Sequence, residues 1–437
     1  MNHNSLKENL DLNQAAHEMH DLLCTLYPIC RSITGNGLRE TLNLINNRLP
    51  LQIHEIPTGT RVFDWTVPRE WNIRDAYIKD SQGKRVIDFC SSNLHVVGYS
   101  IPVHRKMSLS ELQKNLYTLP HRPDWIPYRT TYYQEDWGFC LSHNQLMELK
   151  DDEYEVVIDS SLENGHLTYG ECLVQGSIDQ EFLISCHVCH PSLCNDNLSG
   201  TVLATFLGNI LSRRSPYYSY RILFIPGTIG SITWLALNRE KIASIRHGLV
   251  LACLGDPGPF TYKKSRQGNA EIDQCMMYML NKQNTDHEIM DFSPYGYDER
   301  QYCSPGFNLP VGCLMRTPYG LYPEYHTSKD NPDLVTAEYL GDSLEKILLL
   351  LDLIEANRKY LNTNPECEPH LGKRGLYKYI GGQNEGLVDQ IALLWVLNQS
   401  DGMHSLLDIA DKSCLDFWLI RDAAHLLEKH GLLIPCA

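Results

Sequence analysis

The sequence predicts an α/β protein: a mainly parallel, mixed sheet sandwiched by helices, with a small β-rich domain inserted near its start and a small helical module at its end. Three observations carry this. From residue 167 onward, short continuous apolar runs (GECLVQG, EFLISC, RILFIP, GLVLACL, PVGCLMR) alternate with helical patterns, and strands apolar on both faces belong to parallel sheets covered by helices. Residues 57–166 instead hold many aromatics and short alternating runs (RVFDWTV, DAYIKD, KRVIDF, WGFCLS, YEVVIDS) separated by turns such as Ser81-Gln82-Gly83, the pattern of small β structure. Residues 387–433 return to helical periodicity and close on the strand-like HGLLIP.

In chain order, residues 5–27 form an amphipathic helix with Leu10, Leu12, Ala16, Met19, Leu22 and Leu23 on one side. The turn Gly35-Asn36-Gly37 precedes a second helix over 38–49, and LQIHEI (51–56) is a strand. The β-rich segment carries one short helix, 108–117. The alternating part then places helices at 197–213, 229–240, 270–282 and 337–360, the last with Leu340, Leu344, Ile347, Leu348, Leu351 and Ile354 on one face. After the break LNTNPECEPHLGKRG come helices at 389–397, 405–410 and 415–429, with a turn at Ser400-Asp401-Gly402. That is the outline of a winged helix-turn-helix. The expected domains are 1–56 with 167–365, the insertion 57–166, and the winged helix 366–437.

A chain of 437 residues, 43% hydrophobic and 21% charged, suits a globular protein of two or three domains. Its net charge of −15 repels phosphate backbones and argues against nucleic acid as the main partner. The winged segment has eight acidic residues to three basic over 385–429, and the helix LDFWLIRDAAHLLEK lacks a basic face. Packing on the main domain or on another subunit of a homo-oligomer fits it better than DNA. No apolar run approaches the ~18 residues of a membrane span. The start MNHNSLKENLDLNQ lacks a signal-peptide core, and fifteen cysteines, an odd number, point to reduced thiols in the cytoplasm.

The stretch EFLISCHVCHPSLCNDNLSGT (181–201) concentrates the chemistry. His187 falls where an apolar strand ends, and Asp196 opens the next helix. Both positions face the crevice above the carboxyl edge of an open sheet, where such folds bind ligands. Imidazole with carboxylate is the donor set of a catalytic zinc. Two plainer readings stand beside this: Asp196 as a helix N-cap, and His187 as a packed core histidine. Cys186, Cys189 and Cys194, with His187 and His190, do not have zinc-knuckle spacing. The next strands end at Gly227-Thr228-Ile229-Gly230-Ser231 and at Gly255-Asp256-Pro257, and the turn-rich PYGLYPEYHTSKDN carries His326.

The order His187, Asp196, the turn at 227–228, Asp256 and His326 is similar to that of the di-zinc aminopeptidases, a clan that includes glutaminyl cyclases. The whole chain resembles a bacterial group of aminopeptidase-like proteins, often encoded near polysaccharide or secondary-metabolite genes, with an inserted small β domain and a C-terminal winged helix. RSITGNGLRETL, VFDWTVPREW, YYQEDWGFC, CHPSLCNDNLSG, YDERQYCSPGFNLPVG and YHTSKDN carry the likeness. It implies a zinc-aminopeptidase-like fold, with His187 and Asp256 on one zinc, Asp196 bridging and His326 on a second.

The chain departs from that pattern at Gly227-Thr228, where the clan has a Glu-Glu pair supplying the base and a metal ligand. The expectation is therefore one zinc held by His187, Asp196 and Asp256, with His326 on a weaker second ion or on substrate. Glu299, in YDERQY, is the preferred replacement base and Glu324 the other candidate. Asp298, Arg300 and Thr228 would line the substrate pocket, with Arg300 clamping a substrate carboxylate. A surface ion-pair network is the alternative for 298–300. Tyr325 is a candidate oxyanion donor or a packed aromatic. The expected function is a zinc-dependent amide or peptide hydrolase of aminopeptidase type, acting on a small peptide or aminoacylated metabolite. The alternative is a degenerate aminopeptidase fold that binds without catalysis. The insertion precedes the strand that delivers His187, so it is expected over the mouth of the crevice.

Overall fold

The computed structural model describes residues 5–283, 286–376 and 387–436. They divide into two compact units, one from Ser5 to Leu349 and one from Leu350 onward.

The first unit is built on an eight-stranded sheet in the order Gln52–Pro57, His166–Val174, Ser219–Ile225, Glu181–His187, Ile245–Leu251, Val311–Met315, Phe260–Lys263, His287–Met290. Its centre is parallel: Glu181–His187 lies between Ser219–Ile225 and Ile245–Leu251, and the latter pairs with Val311–Met315. Antiparallel pairs join the outer strands on both sides. The mixed, mainly parallel sheet sandwiched by helices is thus as the apolar runs predict. All seven residues of Glu181–His187 are buried, which is why that run carries no polar alternation. At its start Glu181 accepts from Arg221 Nε at 2.6 Å and Nη2 at 2.5 Å, so the charged end of the strand is paired where it is buried. Phe260–Lys263 and His287–Met290 are strands that the sequence reading does not contain. Each has only four residues, too few for an alternation signal.

Helix Leu12–Leu26 is capped by Asp11, whose Oδ1 accepts from Gln14 N at 2.9 Å. It buries Ala16, Met19, Leu22, Leu23 and Leu26. Helix Ser199–Ser212 follows the central strand and is buried along most of its length. The predicted helix over 337–360 ends at Ala356, and Lys359–Asn362 is a strand instead.

Within 57–166, Arg85–Asp88, Glu70–Lys79, Glu153–Glu163 and Val103–Ser108 form an antiparallel sheet in that order. Trp71, Ile78, Tyr154, Val156 and Ile158 from this sheet share one apolar cluster with Leu183, Leu223 and Val250 of the large sheet. The insertion and the α/β core therefore bury a common surface. The helix expected at 108–117 is shorter, Leu109–Leu112, capped by Ser108 and Glu111.

In the second unit, Lys359–Asn362 is the central strand of a three-stranded sheet with Asp401–Ser405 and Leu433–Pro435. Helices Leu387–Gln399, Leu406–Ser413 and Phe417–Lys429 accompany it. This is a winged helix whose first strand lies ahead of the boundary expected at 366. Leu393, Val396, Leu406, Ile409, Phe417, Ile420 and Leu427 are buried. No described helix is long and apolar enough to cross a membrane. All fifteen cysteines are free thiols.

Candidate metal centre

The site forms where the central strand ends. His187, 1% exposed, is its last residue. Asp196 lies in the wide turn Cys194–Leu198, ahead of the helix rather than within it, with φ −109° and ψ 84°. Neighbouring side chains hold this turn open. Asp330 accepts from the amides of Cys194, Asn195 and Asp196 at 3.1, 2.5 and 3.0 Å. Asn195 Oδ1 accepts from Gly255 N at 2.8 Å, and Asn197 Nδ2 donates to Leu251 O at 2.9 Å. Backbone groups that a helix would satisfy internally are thus satisfied by side chains, and the Asp196 carboxylate is free to face the crevice.

Both oxygens of that carboxylate meet imidazoles. His187 Nε2 lies 2.7 Å from Oδ1 and His326 Nε2 lies 2.9 Å from Oδ2. His190 Nε2 is 4.0 Å from Oδ2. The Tyr297 hydroxyl donates to Oδ1 at 2.8 Å. Burial alone would raise the Asp196 pKa, but the hydrogen bonds from His187 and His326 to its two oxygens outweigh it and hold it well below the usual carboxylate range. Burial pushes His190 down to about 3, so that imidazole is neutral and keeps a lone pair. Aromatic rings fix the imidazoles. Tyr297 stacks on His187 with centroids 4.2 Å apart and Tyr325 on His326 at 3.9 Å. The two tyrosine hydroxyls are 3.0 Å apart. Tyr128, from the insertion, packs edge-on against His190 at 5.3 Å and His326 at 5.0 Å.

A divalent cation fits this donor set. Ligand atoms of His187, His190 and Asp196 lie within 4.8 Å of one another, and neutral imidazoles with one ionised carboxylate are what zinc takes in catalytic sites.

The structure thus brings together three of the four expected ligands: His187, Asp196 and His326. The fourth, Asp256, is spoken for. Its oxygens accept from Thr317 Oγ1 at 2.5 Å, Thr317 N at 3.2 Å, Gly258 N at 2.8 Å and Asn195 Nδ2 at 3.0 Å, so it braces the turn that carries Asp196. Glu299, the preferred base, is instead ion-paired: its Oε1 is 2.5 Å from Lys263 Nζ, with both side chains no more than 1% exposed. Glu324 is half-buried, and its backbone carbonyl accepts from Thr327 N and Oγ1 at 3.0 and 2.8 Å. Thr228 Oγ1 is 3.5 Å from Gln301 Nε2. Asp298 is fully buried, accepts from Ser231 Oγ at 2.7 Å on Oδ1, and leaves Oδ2 without a partner. Burial raises its pKa to about 6. The Nε of Arg300 is buried without a partner.

Sequence reasoning missed His190, Tyr297 and Asp330. His190 sits in the quoted HVCH stretch, and the signal was its spacing of three from His187. Tyr297 and Asp330 each lie in a motif read for another residue, YDERQY and YHTSKDN. The insertion does reach the site. Tyr128 N donates to His326 O at 2.8 Å, Ser328 N donates to Ile126 O at 2.9 Å, and Pro127 bridges to Thr327.

Comparison with known proteins agrees with this architecture. A family described as a domain of unknown function, DUF4910, matches residues 20–357, and a winged helix-turn-helix family matches residues 358–435. A Clostridium acetobutylicum protein named for polysaccharide biosynthesis and an aminopeptidase-like domain is 52% identical, over 96% of this chain and 97% of its own. A crystal structure from the same organism, titled as a peptidase, is 50% identical with TM-score 0.91 and covers 98% of both chains. A zinc aminopeptidase from Bacillus subtilis shares the fold at 10% identity, TM-score 0.56, over 77% of this chain and 94% of its own.

Proposed function

We propose that this chain, which belongs to the DUF4910 family, is a zinc-dependent amide hydrolase of aminopeptidase type acting on a small peptide or an aminoacylated metabolite. One observation carries the reading: the imidazoles of His187 and His326 meet the two oxygens of one buried, ionised carboxylate, Asp196, with the neutral His190 beside them. His187, Asp196 and either His190 or His326 would hold the ion. Zinc there would polarise a carbonyl and make water acidic enough to attack near neutral pH.

The chain's own groups supply the rest. Burial holds the Tyr325 hydroxyl well above its ordinary pKa. It stays protonated and can donate to an oxygen that becomes negative. Tyr128 walls the imidazoles and narrows what reaches them. Arg300, whose Nε lacks a partner, can pair with a substrate carboxylate.

Metal analysis of the purified protein and a panel of aminoacyl-4-nitroanilides with added Zn²⁺, Co²⁺ or Mn²⁺ test this reading. About one zinc per chain and turnover are expected, both lost in His187→Ala and Asp196→Ala. Turnover persisting in a metal-free variant would overturn it. The second reading, a binding protein on a degenerate aminopeptidase fold, is favoured by the Gly227-Thr228 turn, which brings no carboxylate to the site. Tight zinc with no turnover across the panel would select it.

A further inference from the structure

Most carboxylate oxygens around the metal centre are engaged. Both oxygens of Asp196, Asp256 and Asp330 accept hydrogen bonds, and Glu299, whose Oε2 has no hydrogen-bond partner, is ion-paired through Oε1 with Lys263. Asp298 is fully buried, yet only its Oδ1 is bonded, to Ser231 Oγ at 2.7 Å. A buried carboxylate oxygen without a donor costs on the order of 1–3 kcal/mol or more, so a native fold that keeps one has a water or ligand for it. The oxygen lies beside a gap. A Cβ added at Gly227 would come 3.5 Å from Asp298 Oδ2 and 3.1 Å from the Cβ of His187. Glycine therefore leaves, between the unbonded oxygen and the histidine at the strand end, a space that any other residue would occupy.

We propose that Asp298 is the catalytic proton acceptor, seating the attacking water in the space that Gly227 leaves open. This rests on the hydrolase reading. The water gives one proton to Oδ2 as its oxygen bonds to the amide carbon. The carbon–nitrogen bond then breaks, the proton passes from Oδ2 to the departing nitrogen, and the acid and the amine are released with Asp298 again a carboxylate. Ser231 ties down Oδ1 and leaves Oδ2 for this exchange. The role expected for Glu299 passes to its neighbour, because Glu299 already neutralises Lys263.

Asp298→Asn keeps the shape and the Ser231 contact. In the zinc-loaded full chain it should lower kcat on the anilide by about 10²–10⁴-fold, the usual weight of a general base. KM and zinc stoichiometry should stay near wild type, and Asp298→Glu should regain part of the rate. Gly227→Ala, with Asp298 intact, should also lose rate with zinc retained, because its methyl takes the place of the water. A separate readout needs no turnover. Acetohydroxamic acid sheds a proton on binding zinc, and calorimetry in buffers of different ionisation enthalpy counts the protons reaching solvent. Wild type should keep that proton on Asp298, and Asp298→Asn should release about one more. Equal proton release, an unchanged kcat in either variant, or zinc lost with Asp298→Asn would overturn the assignment. A wild type that retains the proton but hydrolyses nothing would sink the hydrolase reading and leave Asp298 as the acceptor. A wild type that takes up no zinc would overturn both.

Discussion

Tyr297 shows how much one side chain contributes here. Its ring lies on His187 and its hydroxyl donates to Asp196. Tyr297→Phe keeps the stack and removes the donor. A hydrogen bond to a buried charged group is worth about 1.5–3 kcal/mol, so the metal-free variant should lose that much in urea unfolding while keeping its near-ultraviolet spectrum. An unchanged midpoint would show that the hydroxyl is not bound to a charged Asp196. Asp330 acts through the backbone instead. Three amides of the Asp196 turn point at it, and none of them is visible in a sequence motif. Its neighbour His326 was legible because it follows a strand in a turn-rich polar segment. Asp330 was not, since a carboxylate four residues on carries no pattern of its own.

At the scale of elements, two contacts place the site. Strand Phe260–Lys263 ends in Lys263, whose Nζ donates to Tyr295 O at 2.8 Å and Ser293 O at 3.3 Å and pairs with Glu299. It therefore holds the loop that presents Tyr297 and Asp298. Removing one partner of a buried pair strands the other charge, so Lys263→Met should cost about 3–5 kcal/mol. Adding Glu299→Gln should restore much of it in the same denaturation assay. A single variant as stable as wild type would mean the pair is not buried. The second contact joins the insertion to the core: Glu70, on strand Glu70–Lys79, takes two bonds of 2.7 Å from Arg39 on helix Asn36–Asn46. Arg39 lowers the Glu70 pKa to about 2. The folded value lies below the unfolded one, so this stability is present above pH ~4.5 and fades as pH falls toward ~2. Because the pair is partly solvated, about 1 kcal/mol is expected. Glu70→Gln should lower the unfolding free energy by that amount at pH 7, with the difference shrinking steadily below pH ~4.5. A gap that widened in acid would reverse the sign.

For the whole molecule, the winged helix poses the sharpest question, because its architecture suits a DNA groove and its charge does not. With eight acidic to three basic residues over 385–429, phosphate neutralisation is weak. A gel-shift titration of the full chain with mixed-sequence duplex at low salt should show no retained complex at micromolar protein. A shift that weakens steeply with salt would establish DNA binding. The insertion carries a different expectation. Tyr128 seals the imidazoles from one side, so Tyr128→Ala should admit bulkier acyl groups, seen as a changed ranking of kcat/KM across the panel. An unaltered ranking would place selectivity elsewhere.

The local pattern of the chain was enough for the parallel strands, the β-rich insertion and the winged helix, because burial on two faces, burial on one face and helical periodicity each leave their own mark on neighbouring residues. It was enough as well for His187 and Asp196, since strand ends and the turns after them are where a parallel sheet must deliver its chemistry. What only the tertiary structure decided is which polar groups remain free once all the others are paired. Asp256 and Glu299 lie close in sequence to the right elements, yet Thr317 and Lys263, far along the chain, claim them. Asp298 differs by one position from Glu299, yet it is bonded to Ser231 rather than to a lysine and keeps its Oδ2 unbonded beside Gly227. Hydrogen-bond and charge pairing is settled between segments distant in sequence, and no local pattern records its outcome.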